Sequence, residues 1–271
     1  MLRASDGAKH SLTGLWFKQR ASLKLGKAPP KFDSRTLLLA KYMTKTLAPP
    51  PSSVDYAAKV RVWPLYGNDK YGDCTCAAAG HMVQEWTANT GREETLPDSA
   101  ILDVYNHFVH GNPDEGVNML DVLKFWRASG FGKDKIFAFA QLELKNNLHT
   151  QDAIFLFGSC YMGLALPEFA VPNGVGDPSV PWVVPPSGPR GDAAPNQNNG
   201  HCVPAFAYDQ KGLWVVTWGT LKQMSWQFYT AYCDEAFAVL SPDWLSKKLK
   251  KAPPGLDLKS LENDLSKVTK A

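Results

Sequence analysis

Two residues far apart in this 271-residue chain are of types that together can attack an acyl group: Cys74 and His201. Cys74 follows Gly72-Asp73 and opens a run with small or apolar residues at 74, 77, 78 and 82, the period of a helix. A thiol at a helix N-terminus meets unpaired N–H groups and the positive end of the helix dipole, which favour the thiolate. A nucleophile of this kind needs a base. His201 stands at the start of a strand-like run, directly after Asn196-Gln197-Asn198-Asn199-Gly200. A Cys early in a domain and a His in its later strand region suit a site formed between two lobes. Other uses of these residue types stay open. Cys76 is a second possible nucleophile, two residues into the same helix. Cys74, Cys76, His81, His201 and Cys202 contain a zinc-type ligand set, although Cys-Thr-Cys is not the usual ligand spacing. Cys76 and Cys202 could pair as a disulfide in an oxidising compartment. Cys160 and Cys233 read as core residues, and His81, His107 and His110 as packing or surface residues on helices. The sequence carries no sign of a metal, nucleotide or flavin site, so no cofactor is expected.

The elements that must position these residues change period along the chain. Helical patterns cover Cys74 to Ala88, Ile101 to Phe108 and Met119 to Trp126, with Pro97-Asp98-Ser99 as a start signal and Gly130 as a stop. Cys160 to Leu166, Val203 to Tyr208, Leu213 to Thr217 and Ala236 to Leu240 read as strands separated by Gly and Asp turns. Helices first and strands later predict an α+β fold with two lobes, a helical one over about 54–150 and an antiparallel β lobe over about 151–245. Residues 1–53 hold two proline clusters flanking one short helix within Arg35 to Thr46, which reads as an extended arm laid over a body. Pro172 to Gly200 is an irregular stretch long enough to be functional or disordered. Ser246 to Ala271 reads as a tail with one exposed amphipathic helix.

Composition narrows the class. Hydrophobic residues make up 44% and charged residues 20%, too apolar for a disordered chain. No apolar run reaches the ~20 residues of a membrane helix, and the first 26 residues lack the unbroken apolar stretch of a secretory signal. Five cysteines are too few, and odd in number, for a disulfide scaffold. The net charge of +3 is unevenly spread: +9 over residues 1–61, +4 over 246–271 and −10 between them. Basic ends of this kind can dock on their own acidic body, grip an anionic partner or a neighbouring subunit, or simply lie in solvent.

The stretch Val54-Asp55-Tyr56 … Lys59 … Val62 … Pro64 … Asn68 … Gly72-Asp73-Cys74 resembles the mature N-terminus of papain-like cysteine peptidases. Ala77-Ala78-Ala79 continues the likeness along the central helix. His201-Cys-Val-Pro-Ala-Phe-Ala-Tyr208-Asp209 resembles the family's histidine strand, and Leu213-Trp-Val-Val-Thr-Trp218-Gly219 the strand that follows it. The resemblance implies a two-lobed papain-like fold and a peptidase or amidohydrolase that cleaves peptide or protein substrates, cell-wall peptides among them, through an acyl-enzyme. It casts Cys74 as nucleophile, His201 as general base, the Cys74 N–H and the Asn68 amide as oxyanion donors, and Trp218 as the shield over the histidine. The family's third member, an Asn, aligns with Val216, which cannot hold an imidazole; Thr217 would face the other side of a regular strand. That departure leaves a bare Cys–His dyad, a different orienting group, or a catalytically impaired module with a binding or structural role. Residues 1–53 stand where the family carries a pro-segment. Short members of this kind are carried by bacteria and phages, which with the missing signal implies a cytoplasmic or virion-associated protein.

Overall fold

The alternating strands of the second half assemble into one antiparallel sheet, to which the first half also contributes. A computed structural model describes residues 23–113, 115–171, 180–249 and 252–270. In chain order the elements are β1 (Val54–Asp55), α1 (Cys74–Thr90), α2 (Asp98–Val109), α3 (Met119–Ala128), β2 (Ala138–Gln141), α4 (Asn147–Phe157), β3 (Cys160–Ala165), β4 (Gly200–Tyr208), β5 (Gly212–Thr217), β6 (Thr220–Ser225), α5 (Trp226–Tyr232), β7 (Cys233–Leu240) and α6 (Leu258–Lys270). The sheet order is β2-β7-β3-β4-β5-β6, and β1 pairs with the far end of β4 through Val54↔Tyr208 and Asp55↔Ala207. The α+β reading therefore holds, with a mixed sheet-and-helix body. The strands β2 and β6 and the helices α4 and α5 lie where no period was legible.

The sheet is buried on both faces, which divides the core in two. On β4, Cys202 and Phe206 pack with Ala77, Ala78 and Met82 of α1, whereas Val203 and Ala205 pack on the opposite face. α1 is buried on every side over Cys74 to Trp86, its polar residues Thr75, His81, Gln84 and Glu85 included. Its small residues allow close approach: a Cβ at Gly80 would stand 2.7 Å from Ile101 and 2.8 Å from Tyr66.

The short helix expected within Arg35 to Thr46 shrinks to one turn, Leu39–Tyr42. The tail forms a helix, but α6 is not simply exposed: Leu261 and Leu265 are buried in the core. The two basic ends meet each other there. Thr44 N–H donates to Gly255 O at 2.7 Å, Asp257 N–H to Tyr42 O at 2.8 Å, and Tyr42 OH to Asp264 at 3.1 Å. Further up the arm, Lys31 pairs with Asp121, and Asp33 with Lys124 at 2.7 Å. No helix among the described residues is long and apolar enough to cross a membrane.

Candidate active site

α1 begins where the Asp73 carbonyl accepts from the N–H groups of Cys76 and Ala77 at 2.8 and 2.9 Å, which makes Cys74 the first helical residue. Its sulfur accepts from the Cys202 N–H of β4 at 3.3 Å. That contact joins helix to sheet, and the preceding residue, His201, lines the same cavity as the thiol. Cys74, His201, Asn68, Thr217 and Trp218 all line one cavity of about 10 Å³. Such a volume is at the limit of what one water needs, ~10–15 Å³.

His201 is held on two sides. Its Nε2 lies 2.8 Å from Thr217 Oγ1, and its ring stacks on Trp218 at 4.1 Å and 6°. Its Nδ1 is buried without a hydrogen-bond partner. Thr217 is therefore the side chain that holds the imidazole where Val216 cannot. Val216 faces α1 along with Cys202, and Thr217 lies on the face of Val215 and Val203, which His201 shares. A hydroxyl can accept from Nε2–H or donate to a bare Nε2, so Thr217 fixes the ring's position more firmly than its tautomer.

Trp218 is placed by strain. With Gly219 it forms the two-residue turn between β5 and β6, at φ of 45° and 69°. Such turns favour Asn-Gly or Gly-Gly, and a bulky residue there costs on the order of 1–3 kcal/mol. The stacking on His201 and a 2.8 Å hydrogen bond from Nε1 to Lys24 O offset that cost.

Burial sets the protonation states. It pushes the Cys74 thiol up to about 12 and the His201 imidazole down to about 3. The pair rests as thiol and neutral imidazole. Asp73, beside the thiol, is also buried, and burial lifts it to about 8 against the opposing pull of the Asn68 amide. Asn68 Nδ2 donates to Tyr71 O at 3.1 Å, so its amide is engaged locally within the cavity wall. All five cysteines are free, which overturns the Cys76–Cys202 disulfide alternative. No group of three or more His, Cys, Asp or Glu is arranged to hold a metal among the described residues, so the zinc alternative is not assembled. His81 instead places Nε2 2.8 Å from Pro64 O.

The depressed His201 pKa has a measurable consequence. Between about 6.5 and about 3 the unfolded chain binds a proton at this residue that the folded chain does not. The native state therefore loses stability as pH falls through that window, by ~3 kcal/mol at pH 4. Asp73 and Glu235, both raised by burial, act in the opposite sense as pH falls below about 8 and about 7. The difference between the natural chain and His201→Asn in urea unfolding at pH 6.5 and pH 4 isolates the histidine. An equal loss in both would show that His201 is hydrated.

The cavity is closed by the chain itself. Lys24 N–H donates to Asn68 O at 2.9 Å, and Gly26 and Lys27 N–H both donate to Gly200 O, at 3.1 and 3.0 Å. On the other wall, Val117 N–H donates to Gly26 O at 2.8 Å and Ala28 N–H to Val117 O at 3.1 Å. Residues 24–28 form a strap spanning from Asn68 and Val117 on one side to Trp218 and Gly200 on the other. Nothing in the residue pattern of the arm marks where this contact falls. Nor does the pattern single out Asp234 and Glu235, which hold the strap's Lys27. Two consecutive acids at the start of an otherwise apolar strand were the available signal. A separate open groove of about 800 Å³ between α3 and α6 holds no Cys or His.

No protein-family model matches the sequence, and no curated protein matches it. Solved structures do match the fold. Xylellain, a cysteine protease from Xylella fastidiosa, aligns over 81% of this chain and 97% of its own, with a TM-score of 0.60 and 15% identity. The cysteine protease and lectin-like domains of Cwp84, a surface-layer-associated protein of Clostridium difficile, align over 89% of this chain with a TM-score of 0.56 and 12% identity. This chain spans 63% of that structure's length. Digestive procathepsin L 3 of Tenebrio molitor aligns over 83% of this chain and 79% of its own, with a TM-score of 0.55 and 14% identity.

Proposed function

Starting from a chain that has the papain-like fold, we propose that it is a cysteine peptidase whose resting form is closed by its own residues 24–28. The observation that carries this reading is the shared cavity of Cys74 and His201, in which Nε2 is held by Thr217 and Nδ1 is left without a partner. A thiol at a helix N-terminus next to an imidazole with one committed nitrogen is a nucleophile with its base.

In the proposed reaction the strap leaves and a peptide takes its place. Cys74 gives its proton to His201 Nδ1, and the thiolate attacks the scissile carbonyl carbon. The carbonyl oxygen becomes an oxyanion, stabilised by the Cys74 N–H and by the Asn68 amide once it turns from Tyr71 O. Collapse breaks the C–N bond, and His201 returns its proton to the departing amine. Water, deprotonated by His201, then attacks the thioester and releases the acid and the thiol. Thr217 acts here as a positioning residue. Thr217→Val leaves Nε2 unpaired and is expected to lower kcat ~10- to 100-fold with KM nearly unchanged, while Thr217→Ser keeps most of the rate. Equal effects of Val and Ser would remove the hydroxyl from the account.

The test of the reading is digestion of a peptide mixture by the chain with its strap displaced, with Cys74→Ala as control and the products mapped by mass spectrometry. Cleavage that disappears in Cys74→Ala supports it, and absence of cleavage with an open strap overturns it. A second reading, a binding or structural module with an inert thiol, is favoured by the closure itself: the strap is hydrogen-bonded along both walls of the cleft. It predicts that the thiol stays unreactive after the strap is displaced.

A further inference from the structure

The strap fills the cleft with one side chain that is out of place in a protein interior. Lys27 has a fully buried side chain, and its ammonium lies 3.1 Å from Asp234 Oδ2, 3.4 Å from Glu235 Oε1 and 3.3 Å from Ala28 O. A buried ammonium is costly unless its donors are met, and here each of the three has an acceptor. The pocket is shaped for the stem as well as the head. A Cβ at Gly163 would come within 2.7 Å of both Lys27 Cδ and Glu235 Cγ, so glycine is what leaves room for the alkyl chain. The pocket also has spare capacity. Two carboxylates face one cation, and Asp234 Oδ1 is buried with no hydrogen-bond partner. Burial, with Asp234 beside it, lifts Glu235 to about 7 even with Lys27 drawing it down.

The position matters as much as the charge. Lys27 N–H is bonded to Gly200 O, the residue before His201, and its neighbour Gly26 shares that acceptor. Any extended peptide laid in the same trough would send a side chain toward Asp234 and Glu235.

We propose that Asp234, Glu235 and Gly163 form a side-chain pocket for a lysine or arginine of the substrate, and that Lys27 is the internal occupant the substrate replaces. The assignment rests on the peptidase reading for its use in catalysis, but the pocket itself can be tested without it. Arginine suits the site at least as well as lysine, because its additional donors can reach the unpartnered Asp234 Oδ1.

The experiment uses the full chain carrying Lys27→Ala, which empties the pocket, and in parallel Gly26→Val, which displaces the strap with Lys27 intact. Binding of N-acetyl-lysine methylamide, N-acetyl-arginine methylamide and the uncharged N-acetyl-norleucine methylamide is measured by calorimetry. Both basic probes are expected to bind at least tenfold more tightly than norleucine, and Asp234→Asn/Glu235→Gln is expected to abolish the difference. Equal binding of all three probes in both variants overturns the pocket. A peptide library is then digested with the same variants. Cleavage at a fixed distance from Lys or Arg supports pocket and peptidase together. Selective probe binding without cleavage keeps the pocket and removes the peptidase, and cleavage indifferent to basic residues removes the pocket and keeps the peptidase.

Discussion

Gly26→Val makes Cys74 react with iodoacetamide ~10³-fold faster at pH 7 than in the natural chain. The expectation starts from space. A Cβ at residue 26 would stand 1.9 Å from Gly72 O and 2.5 Å from Gly72 Cα, both backbone atoms that no side-chain rotation can move. Valine therefore cannot be seated, and the anchors on either side, from Lys24 to Ala28, must let go together. With the strap seated the thiol is pushed to about 12, so only ~1 in 10⁵ molecules is thiolate at pH 7. A hydrated thiol of ordinary pKa is a few per cent ionised, which gives the thousandfold even before His201 contributes. The other four cysteines are buried and distinguish themselves by peptide mapping. The strap residues are held mainly by backbone hydrogen bonds and the Lys27 ion pair, so the body is expected to keep its circular dichroism. If limited proteolysis shows a freed strap while the labelling rate stays at the natural value, the thiol is inert and the module reading stands.

Much of this arrangement was written in local pattern. α1, α2 and α3 carry the 3.6-residue apolar period because each packs on one core, and β3, β4, β5 and β7 are apolar runs bounded by turns because both faces of the sheet are buried. The short pieces were hidden. β2 has four residues and α5 seven, too few to establish a period, and the α4 sequence Asn147 to Phe157 mixes polar and apolar residues without a clear face. Cys74 and His201 were legible because their chemistry is rare and their order along the chain informative. Thr217 faces opposite Val216, as the alternation of a regular strand predicts; what local pattern does not reveal is that His201 of β4 stands on that same face, within reach of the hydroxyl. An arm over the body was legible in residues 1–53, but which of its residues close the cleft was not. The strap's contacts with Asn68, Val117 and Gly200 are backbone hydrogen bonds across 44 to 174 residues of chain, and such bonds leave little trace in side-chain pattern.

With the strap displaced, His201→Ala lowers kcat/KM for peptide cleavage by ~10³-fold or more and moves thiol reactivity to the pH range of a free cysteine. The direction follows from what hydration does to the pair. In the closed chain, burial drives both groups neutral: the thiol up to about 12, the imidazole down to about 3. Opening the cleft removes the common cause of both shifts, so the thiol falls and the imidazole rises toward their ordinary values. Once each can be charged next to the other, mutual attraction carries the shifts further in the same sense. The thiolate then persists well below pH 8, down to the pH at which it takes up a proton, and reactivity fades again only there. Because the two groups titrate as a pair, removing His201 erases the low-pH limb altogether and leaves a single rise near the pKa of an isolated thiol. Trp218 contributes by excluding water from one ring face, so Trp218→Ala narrows the window without abolishing it. The measurement is the pH profile of alkylation from pH 4 to 10 in Gly26→Val, with and without His201→Ala. Superimposable profiles would mean that Cys74 and His201 share a cavity but not a proton, and the catalytic assignment would fall even if the thiol is exposed.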